Sequence, residues 1–349
     1  MNEYKSADQE LYYRLLALWV VCEAFAGGIM HAAKIPFAGM IVSALAVTCI
    51  IFIGYHIPSK TAILRATMIV AVFKLMLSPQ APPTAFIAVF FQGLMGQMLF
   101  YNKRPFALTA VILAVLSLAE SALQRILVLL IIYGNSFWHA MDDFVKKLVG
   151  GKDRHYSMLL AEGYILVHII AGIFLGIFAV KLVKRSVEWQ TTHPELLIDM
   201  NRQPADKPAK AKKKKIKWLP VILWILLLLL FIQAYVQPKH AILPVNKAAL
   251  IFLRSVLIVL SWYLIFAPLV IRLIKKLLDS QQKKMAVPIK KIMQLIPGTK
   301  YIFTQSWKRS YLEKGFRRFK LFLKILLVNI LSENKEPQNP QELPNLEGS

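Results

Sequence analysis

Long apolar stretches alternate with short polar segments through the first half of this chain. A membrane-spanning helix needs about 20 predominantly apolar residues, and six stretches approach or exceed that length. They lie at 11–31, 37–54, 61–77, 84–100, 106–133 and 156–183. The pattern therefore predicts six membrane-spanning helices before residue 187.

The polar segments between these stretches supply the expected helix ends. The sequence SPQAPP at 78–83 cannot continue a helix, because proline lacks an amide donor and restricts the residue before it. Pro105 suits the first turn of the helix that follows it. Residues 135–149 have one apolar and one charged face, which predicts a helix lying along the membrane surface.

The pattern changes after residue 186. Residues 187–217 contain three prolines and the run KAKKKKIK, with almost no apolar periodicity, and this composition predicts a flexible linker. Two further spans follow at 218–236 and 248–271. The sequence then becomes amphipathic and basic from 272 to 324, with helix breaks expected at Pro288 and Pro297.

The last part of the chain contains a short apolar piece and a polar tail. The apolar piece at 325–331 is too short to cross a membrane alone. Residues 332–349 are polar and proline-rich, so we expect them to be disordered. The chain thus divides into a membrane region at 1–186, a linker at 187–217, a second membrane region at 218–331 and this tail.

Composition supports an all-α, polytopic integral membrane protein with about eight transmembrane helices and additional basic cytoplasmic helices. Of the 349 residues, 57% are hydrophobic, above the 45–50% typical of soluble domains. The start MNEYKSADQE is polar, and no small-residue cleavage site follows the first span, so we expect no cleavable signal peptide. Cys22 and Cys49 each lie inside a span, where buried free thiols are favoured over a disulfide or a metal pair.

Two segments carry most of the chain's formal charge of +24. Residues 272–324 contain fifteen basic and two acidic side chains, and residues 181–217 contain eleven and four. Basic residues in segments beside membrane spans are typical of the cytoplasmic side. The pattern therefore predicts a cell inner membrane location with both termini cytoplasmic, and the basic charge does not indicate nucleic-acid binding.

Enzyme motifs are absent from the sequence. There is no phosphate-binding loop, no HExxH, no CxxC and no DDxxD pattern that would hold Mg²⁺. We therefore expect no catalytic residue, no bound metal and no cofactor on this chain. Any ATP and Mg²⁺ used for energy-driven work would bind to a separate polypeptide.

Ionisable or strongly polar residues inside predicted spans are candidates for function, because their burial in hydrocarbon is costly. Glu120 is central in the fifth span, and Gln124 lies one turn later on the same face. Glu162 and His168 occupy the sixth span, and Glu23 the first. These groups either contact a substrate or pair with each other and fix the helix packing, and the sequence leaves both interpretations open.

Small residues at four-residue spacing predict close contact between helices. Gly172 and Gly176 form a GxxxG pattern in the sixth span. Ala24 and Gly28 form the looser version in the first span. Each pattern lets the backbone of another helix approach closely.

The basic segment near the C terminus combines cations with aromatic side chains. Phe303, Trp307 and Tyr311 recur at helical spacing, and Gly315 offers a position for a turn. Cations lie among and after them, at Lys308, Arg309, Lys314, Arg317 and Arg318. Such helices bind anionic lipid or dock on an acidic cytoplasmic partner, and both alternatives remain open.

This layout resembles the energy-coupling factor (ECF) importers. Residues 10–186 are similar to their six-helix substrate-binding S components, on the basis of the span count, the ending GGIMH of the first span and the stretch AFIAVFFQGLMGQMLF. Residues 218–331 look like a shortened transmembrane T component. In that family, Arg-containing motifs at the ends of two coupling helices seat in grooves of ABC-type ATPases, and Lys308-Arg309-Ser310, with Arg317 and Arg318 after it, is the nearest match here.

The resemblance implies transport without catalysis on this chain. The first half would bind a small organic micronutrient, such as a vitamin, with Glu120, Gln124, Glu162 and His168 as substrate-binding candidates. The basic helices would couple it to separate ATPase subunits. The alternative is a non-transport membrane scaffold whose basic helices bind anionic lipid or recruit an enzyme of lipid or polyprenyl metabolism. A lipid-modifying enzyme is disfavoured by the missing metal-binding acids.

Overall fold

The structure is a computed structural model. It describes residues 2–23, 37–78, 83–101, 105–149, 156–200 and 282–332, with scattered positions between 222 and 276. The continuous ranges contain nine α-helices and no strand. They are α1 (Asn2–Val21), α2 (Ala38–His56), α3 (Ala62–Leu77), α4 (Pro83–Tyr101), α5 (Phe106–Tyr133), α6 (Asn135–Val149), α7 (Tyr156–Thr192), α8 (Gln282–Arg309) and α9 (Gly315–Leu331).

The prediction of an all-α membrane protein is confirmed by these helices. Four are long and apolar enough to cross a membrane, namely α2, α4, α5 and α7. Large apolar side chains face outward on them, for example Phe174 at 69% exposure and Met158 at 63%. Such a surface suits hydrocarbon rather than water.

The third predicted span, 61–77, is described completely but is not among these four helices, and the remaining predicted spans are described only in part. α3 has 16 residues, and the first predicted span runs past residue 23 out of the described ranges. The seventh and eighth predicted spans, 218–236 and 248–271, are described at isolated positions only. There, Trp224 Nε1 donates to Ser261 Oγ at 3.0 Å, which joins one span to the other.

The packing of α5 on α7 is the most extensive helix contact among the described elements. Gly172 lies against the backbone of Ala114 and Val115, and Gly176 lies against Val111. A Cβ atom on Gly176 would be 2.5 Å from the Val111 Cα. Gly176, the later of the two glycines in α7, contacts Val111, which comes before Ala114 and Val115 in α5, so the two helices are antiparallel. The absence of a side chain at both glycines permits this close approach. Ala24 and Gly28 lie outside the described residues.

Contacts between the first helices fix their directions. Ser43 of α2 bonds Gln92 of α4, and a Cβ on Gly96 would meet Ile50 further along both helices, so α2 and α4 are parallel. Leu64 N donates to Gln97 Oε1 at the start of α3, and Lys74 near its end bonds the Ala85 carbonyl. α3 is therefore antiparallel to α4. Gln124, late in α5, bonds the Thr84 carbonyl early in α4, and a Cβ on Gly96, later in α4, would also meet Leu113, earlier in α5, so α5 is antiparallel to α4. Because α6 follows α5, it lies at the opposite end of the bundle from Tyr12 and Ala62, which are joined by a hydrogen bond of 3.2 Å.

The C-terminal helices form a basic hairpin, defined here as residues 282–331. α8 and α9 are joined by a 3₁₀ turn at Ser310–Leu312, and Gly315 begins α9 with a φ of 55°. This left-handed conformation favours glycine, and the structure has the turn where the sequence predicted one.

The hairpin packs directly on the first helix bundle. Ile292, Ile296 and Ile325 are buried in the same core as α1. Lys291 Nζ lies 4.9 Å from the centre of the Tyr13 ring, and Arg14 donates to the Ser332 carbonyl at the end of α9. The short apolar piece 325–331 is thus a buried packing surface, which explains why it is apolar without being long enough to span a membrane.

Two features of the C-terminal half differ from the expectations. The predicted breaks at Pro288 and Pro297 were wrong, because both residues lie inside α8. Each proline removes one backbone donor at a cost of about 3 kcal/mol, and the burial of Ile292 and Ile296 against α1 offsets that cost.

The second difference concerns the start of the predicted linker. α7 continues to Thr192, and Pro194–Leu196 forms a 3₁₀ turn. The Ile198 amide donates to Asn329 Oδ1 at 2.7 Å, and Asn329 Nδ2 donates to the Leu196 carbonyl at 3.0 Å. Residues 187–200 therefore connect α7 to α9. Residues 201–217 of the predicted linker and the tail after 332 lie outside the described residues.

Candidate functional site

A buried hydrogen bond between α2 and α4 marks the centre of the candidate site. Gln92 Nε2 donates to Ser43 Oγ at 3.0 Å, and the two residues are 1% and 5% exposed. The other amide atom, Gln92 Oε1, is buried without a hydrogen-bond partner. A buried acceptor of this kind costs about 1–3 kcal/mol unless another group satisfies it.

α5 supplies a second unsatisfied oxygen at the same depth. A Cβ on Gly39 would lie 3.1 Å from Ser121 Oγ, so α2 and α5 are neighbours. They are antiparallel, because α2 is parallel to α4 and α5 is antiparallel to it. Ser43 is one turn after Gly39 and Ser117 one turn before Ser121, so this register places them at one level. Ser117 is fully buried, and its Oγ has no hydrogen-bond partner.

Glu120 and Gln124 continue the same face of α5 toward the end where α4 begins. Gln124 Nε2 donates to the Thr84 carbonyl at 2.9 Å, and its side chain interacts with the Glu120 carboxyl group. Glu120 is half-buried, yet its Oε2 is fully enclosed and has no hydrogen-bond partner. We call Ser43, Gln92, Ser117, Glu120 and Gln124 the polar stripe.

The remaining substrate-binding candidates lie on α7. His168 is 1% exposed, and its Nδ1 lies 2.8 Å from the Tyr164 carbonyl. Its ring contacts those of Tyr164 and Phe37, at centroid distances of 4.3 and 6.3 Å. Glu162 is exposed. The structure therefore joins Glu120 and Gln124, places His168 in an aromatic cluster next to the start of α2, and leaves Glu162 on the outer surface of α7.

A buried ion pair lies at the same end of the bundle. Lys74 Nζ is 2.6 Å from Glu23 Oε2, and the two residues are 6% and 4% exposed. Lys74 also donates to the Ala85 carbonyl at 3.0 Å. Its charge is thus compensated by Glu23, and the pair ties α1 to α3 and α4.

The two cysteines lie next to each other between α1 and α2. Cys22 and Cys49 are both buried free thiols. Their environment is the apolar core of the bundle, and the structure has no disulfide between them.

The second candidate element is the basic hairpin. The Arg318 guanidinium lies 3.6 Å from the centre of the Tyr311 ring and 4.4 Å from that of Trp307. Hydrogen bonding to Arg318 and Trp307 lowers the pKa of the Tyr311 hydroxyl below its ordinary value. Arg318 is therefore engaged within the hairpin, where it braces the turn between α8 and α9.

The other cations of the hairpin face outward. Lys308, Arg309 and Arg317 are exposed, and Arg309 Nη1 makes one hydrogen bond, of 3.3 Å, to the Leu197 carbonyl. Large apolar side chains surround the turn, with Leu312 at 88% and Phe316 at 76% exposure. An exposed apolar tip flanked by cations is suited to an acidic partner with an apolar groove or to an anionic membrane surface.

Sequence reasoning found part of this arrangement. It selected Glu120 and Gln124, but it missed Ser43, Gln92 and Ser117, because uncharged polar residues in an apolar span carry no signal until their depth is known. It also assigned no role to Lys74, although a lysine and a glutamate in separate spans are the expected signal of an ion pair.

Comparison with known proteins gives no assignment. No protein-family model, curated protein sequence or solved structure matches this chain significantly. The polar stripe, the ion pair and the basic hairpin are therefore the features from which a function can be inferred.

Proposed function

We propose that this chain is the membrane component of an ECF-type importer for a small organic micronutrient. The first bundle binds the solute, and the basic hairpin couples it to separate ABC-type ATPase subunits that bind ATP and Mg²⁺. This chain itself carries no catalytic residue. The observation that supports the proposal most is the direct packing of the hairpin on α1 and on the 187–200 segment, because motion of the hairpin is then transmitted to the bundle without a flexible joint.

The proposal includes an arrangement of eight spans in the cell inner membrane with both termini in the cytoplasm. The helix directions place the hairpin and α6 at opposite ends, and the charge distribution favours the hairpin end as cytoplasmic. The polar stripe then lies in the half of the bundle nearer the outer surface, where a solute arrives.

Accessibility of single introduced cysteines tests this topology. Thr191 and Asp143 are exposed residues near the two ends, whereas the native cysteines are buried. We expect a membrane-impermeant thiol reagent to label Asp143→Cys in intact cells and Thr191→Cys only after lysis. Labelling in the opposite sense would reverse the topology and remove the proposed coupling.

Variants of the hairpin test the coupling to an ATPase. A guanidinium makes paired, directional hydrogen bonds, whereas lysine offers a compact charge. Arg309→Lys and Arg317→Lys should therefore reduce the amount of ATPase that co-purifies with the chain from its native membrane. Lys290→Glu, at an exposed position earlier on α8, is the control for a general charge effect.

A scaffold that binds anionic lipid is the second candidate, and the exposed Leu312 and Phe316 favour it. Lipid attraction depends on charge, at about 1 kcal/mol per basic residue near the surface, so both lysine substitutions would be silent. If Arg309→Glu and Lys290→Glu weaken liposome binding equally and no ATPase co-purifies, the scaffold function is supported instead. A co-purifying enzyme of lipid or polyprenyl metabolism would identify its partner.

A further inference from the structure

The polar stripe contains three buried oxygens whose hydrogen-bonding capacity is not used. Gln92 Oε1, Ser117 Oγ and Glu120 Oε2 are enclosed and have no hydrogen-bond partner. The two amide donors whose contacts are described, Gln92 Nε2 and Gln124 Nε2, already serve Ser43 and the Thr84 carbonyl. Gln92 Oε1 and a carboxylate oxygen of Glu120 can only accept hydrogen bonds, whereas the Ser117 hydroxyl can also donate one. What the first two oxygens lack is therefore a positive charge or a hydrogen-bond donor.

The nearest buried cation described at this end does not supply that charge. Lys74 is paired with Glu23 at 2.6 Å and also bonds the Ala85 carbonyl. A carboxylate in a low-dielectric interior is costly unless it is paired. Glu120 differs from Glu23 in this respect, although both lie on helices of the same bundle.

From these contacts we propose that the polar stripe binds a monovalent cation, either Na⁺ or the ammonium group of a small organic amine. Amide, hydroxyl and carboxylate oxygens are the ligands preferred by hard cations, and an ammonium group can donate hydrogen bonds to the same atoms. The stripe contains one carboxylate, so a single positive charge neutralises it and a divalent ion leaves net charge buried.

This inference deepens the proposed function, since it names the charge class that the first bundle accepts. Its test uses only the purified full-length chain in nanodiscs, without ATPase. The melting temperature is measured in the chlorides of sodium, potassium, methylammonium and tetraethylammonium at equal ionic strength. Tetraethylammonium is the reference, because its bulk and lack of N–H donors prevent it from entering a packed helix interface.

We expect Na⁺ or methylammonium to raise the melting temperature, with a rise that begins near the dissociation constant and then grows with the logarithm of the concentration. Selectivity for Na⁺ identifies an ion site, and preference for methylammonium identifies the head group of an organic amine. Because a ligand that binds only the folded state stabilises it by RT ln(1 + [L]/Kd), a fit of the melting temperature against concentration gives the dissociation constant.

Three variants locate the effect. Glu120→Gln and Ser117→Ala should each weaken binding, Glu120→Gln by about tenfold or more, as expected for the loss of roughly 1.4 kcal/mol or more. Glu162→Gln is the matched control, because it removes an exposed carboxylate from α7 and should leave the fitted dissociation constant unchanged. Ser117→Ala is the conservative variant that keeps the test valid if Glu120→Gln does not fold.

Equal melting temperatures in all four salts, or an equal shift in Glu120→Gln, Ser117→Ala and the parent chain, would overturn this inference. The proposed transport function would stand in that case if the ATPase still co-purified through Arg309 and Arg317. If the chain binds the cation but no ATPase co-purifies with it, the cation site is supported and the proposed coupling to an ATPase is contradicted.

Discussion

The polar stripe and the basic hairpin arrange their polar groups in opposite ways. In the stripe a few oxygens are enclosed among apolar helices, and three of them have no hydrogen-bond partner. In the hairpin many cations are exposed, and Arg318 is held against aromatic rings. One region lacks positive charge inside, whereas the other displays an excess of it outside.

This contrast follows from the cost of burial. An exposed cation keeps its hydration, so fifteen basic residues can crowd one segment with little penalty. A buried charge needs a specific partner, and the bundle provides one for Glu23 in Lys74 but none from the described residues for Glu120 Oε2. We infer that buried and incompletely paired groups indicate binding in this chain more sharply than its abundant surface charge.

The largest effect on stability is expected from a substitution that breaks the one buried ion pair described in the bundle. Lys74→Met should lower the free energy of unfolding by about 3–5 kcal/mol, because Glu23 is then buried without a partner. Chemical unfolding of the purified chain in nanodiscs measures this change. Lys181→Met, at an exposed position on α7, should have little effect.

A double substitution sharpens the test. Glu23→Gln together with Lys74→Met removes both charges, so most of the lost stability should return. If the double variant is as unstable as Lys74→Met, the pair stabilises the fold through packing rather than through charge compensation. Glu23 and Glu120 would then not differ in their need for a cationic partner.

The next effect concerns the contact that holds α5, which carries part of the stripe, against α7. Gly176→Ala places a Cβ 2.5 Å from the Val111 Cα, and we expect overpacking to destabilise the bundle by about 1–3 kcal/mol. Gly163→Ala on the same helix is the matched control, since no atom lies within 4 Å of its added Cβ. Equal melting temperatures for the two variants would contradict close packing of α5 on α7.

Helix positions were the part of the fold that the sequence predicted best. The predicted span 106–133 and surface helix 135–149 coincide with α5 and α6, because proline, glycine and periodic apolar residues determine helix ends locally. The continuity of α8 through Pro288 and Pro297 could not be predicted in the same way. Its stability depends on contacts with α1, which is more than 260 residues earlier in the chain.

The candidate site was predicted only where charge makes a residue conspicuous. Glu120 and Gln124 stood out in an apolar span, whereas Gln92 and Ser117 became meaningful only after the directions of α2, α4 and α5 were known. Arg318 shows the converse case. Its sequence context suggested an outward-facing coupling residue, and its guanidinium lies against Trp307 and Tyr311.

The smallest effect is expected from Arg318→Gln, which tests whether Arg318 stabilises the turn of the hairpin or is only an exposed cation like its neighbours. Arg318→Gln removes the contact with Trp307, which at partly exposed sites contributes about 0.5–1 kcal/mol. It also removes the interaction that holds the pKa of Tyr311 below its ordinary value. Because the folded state favours the tyrosinate, this contribution to stability appears only as the pH rises through the lowered pKa of Tyr311.

The difference in tyrosinate absorbance between the parent chain and Tyr311→Phe isolates the titration of this one hydroxyl. We expect the same difference measured in the Arg318→Gln background to move to higher pH. Arg317→Gln is the control, because Arg317 is exposed beside Arg318 and has no described contact with the Tyr311 ring. A titration that moves equally in both variants would mean that Tyr311 senses only the general positive field of the hairpin, and Arg318 would then be as available to a partner as its neighbours.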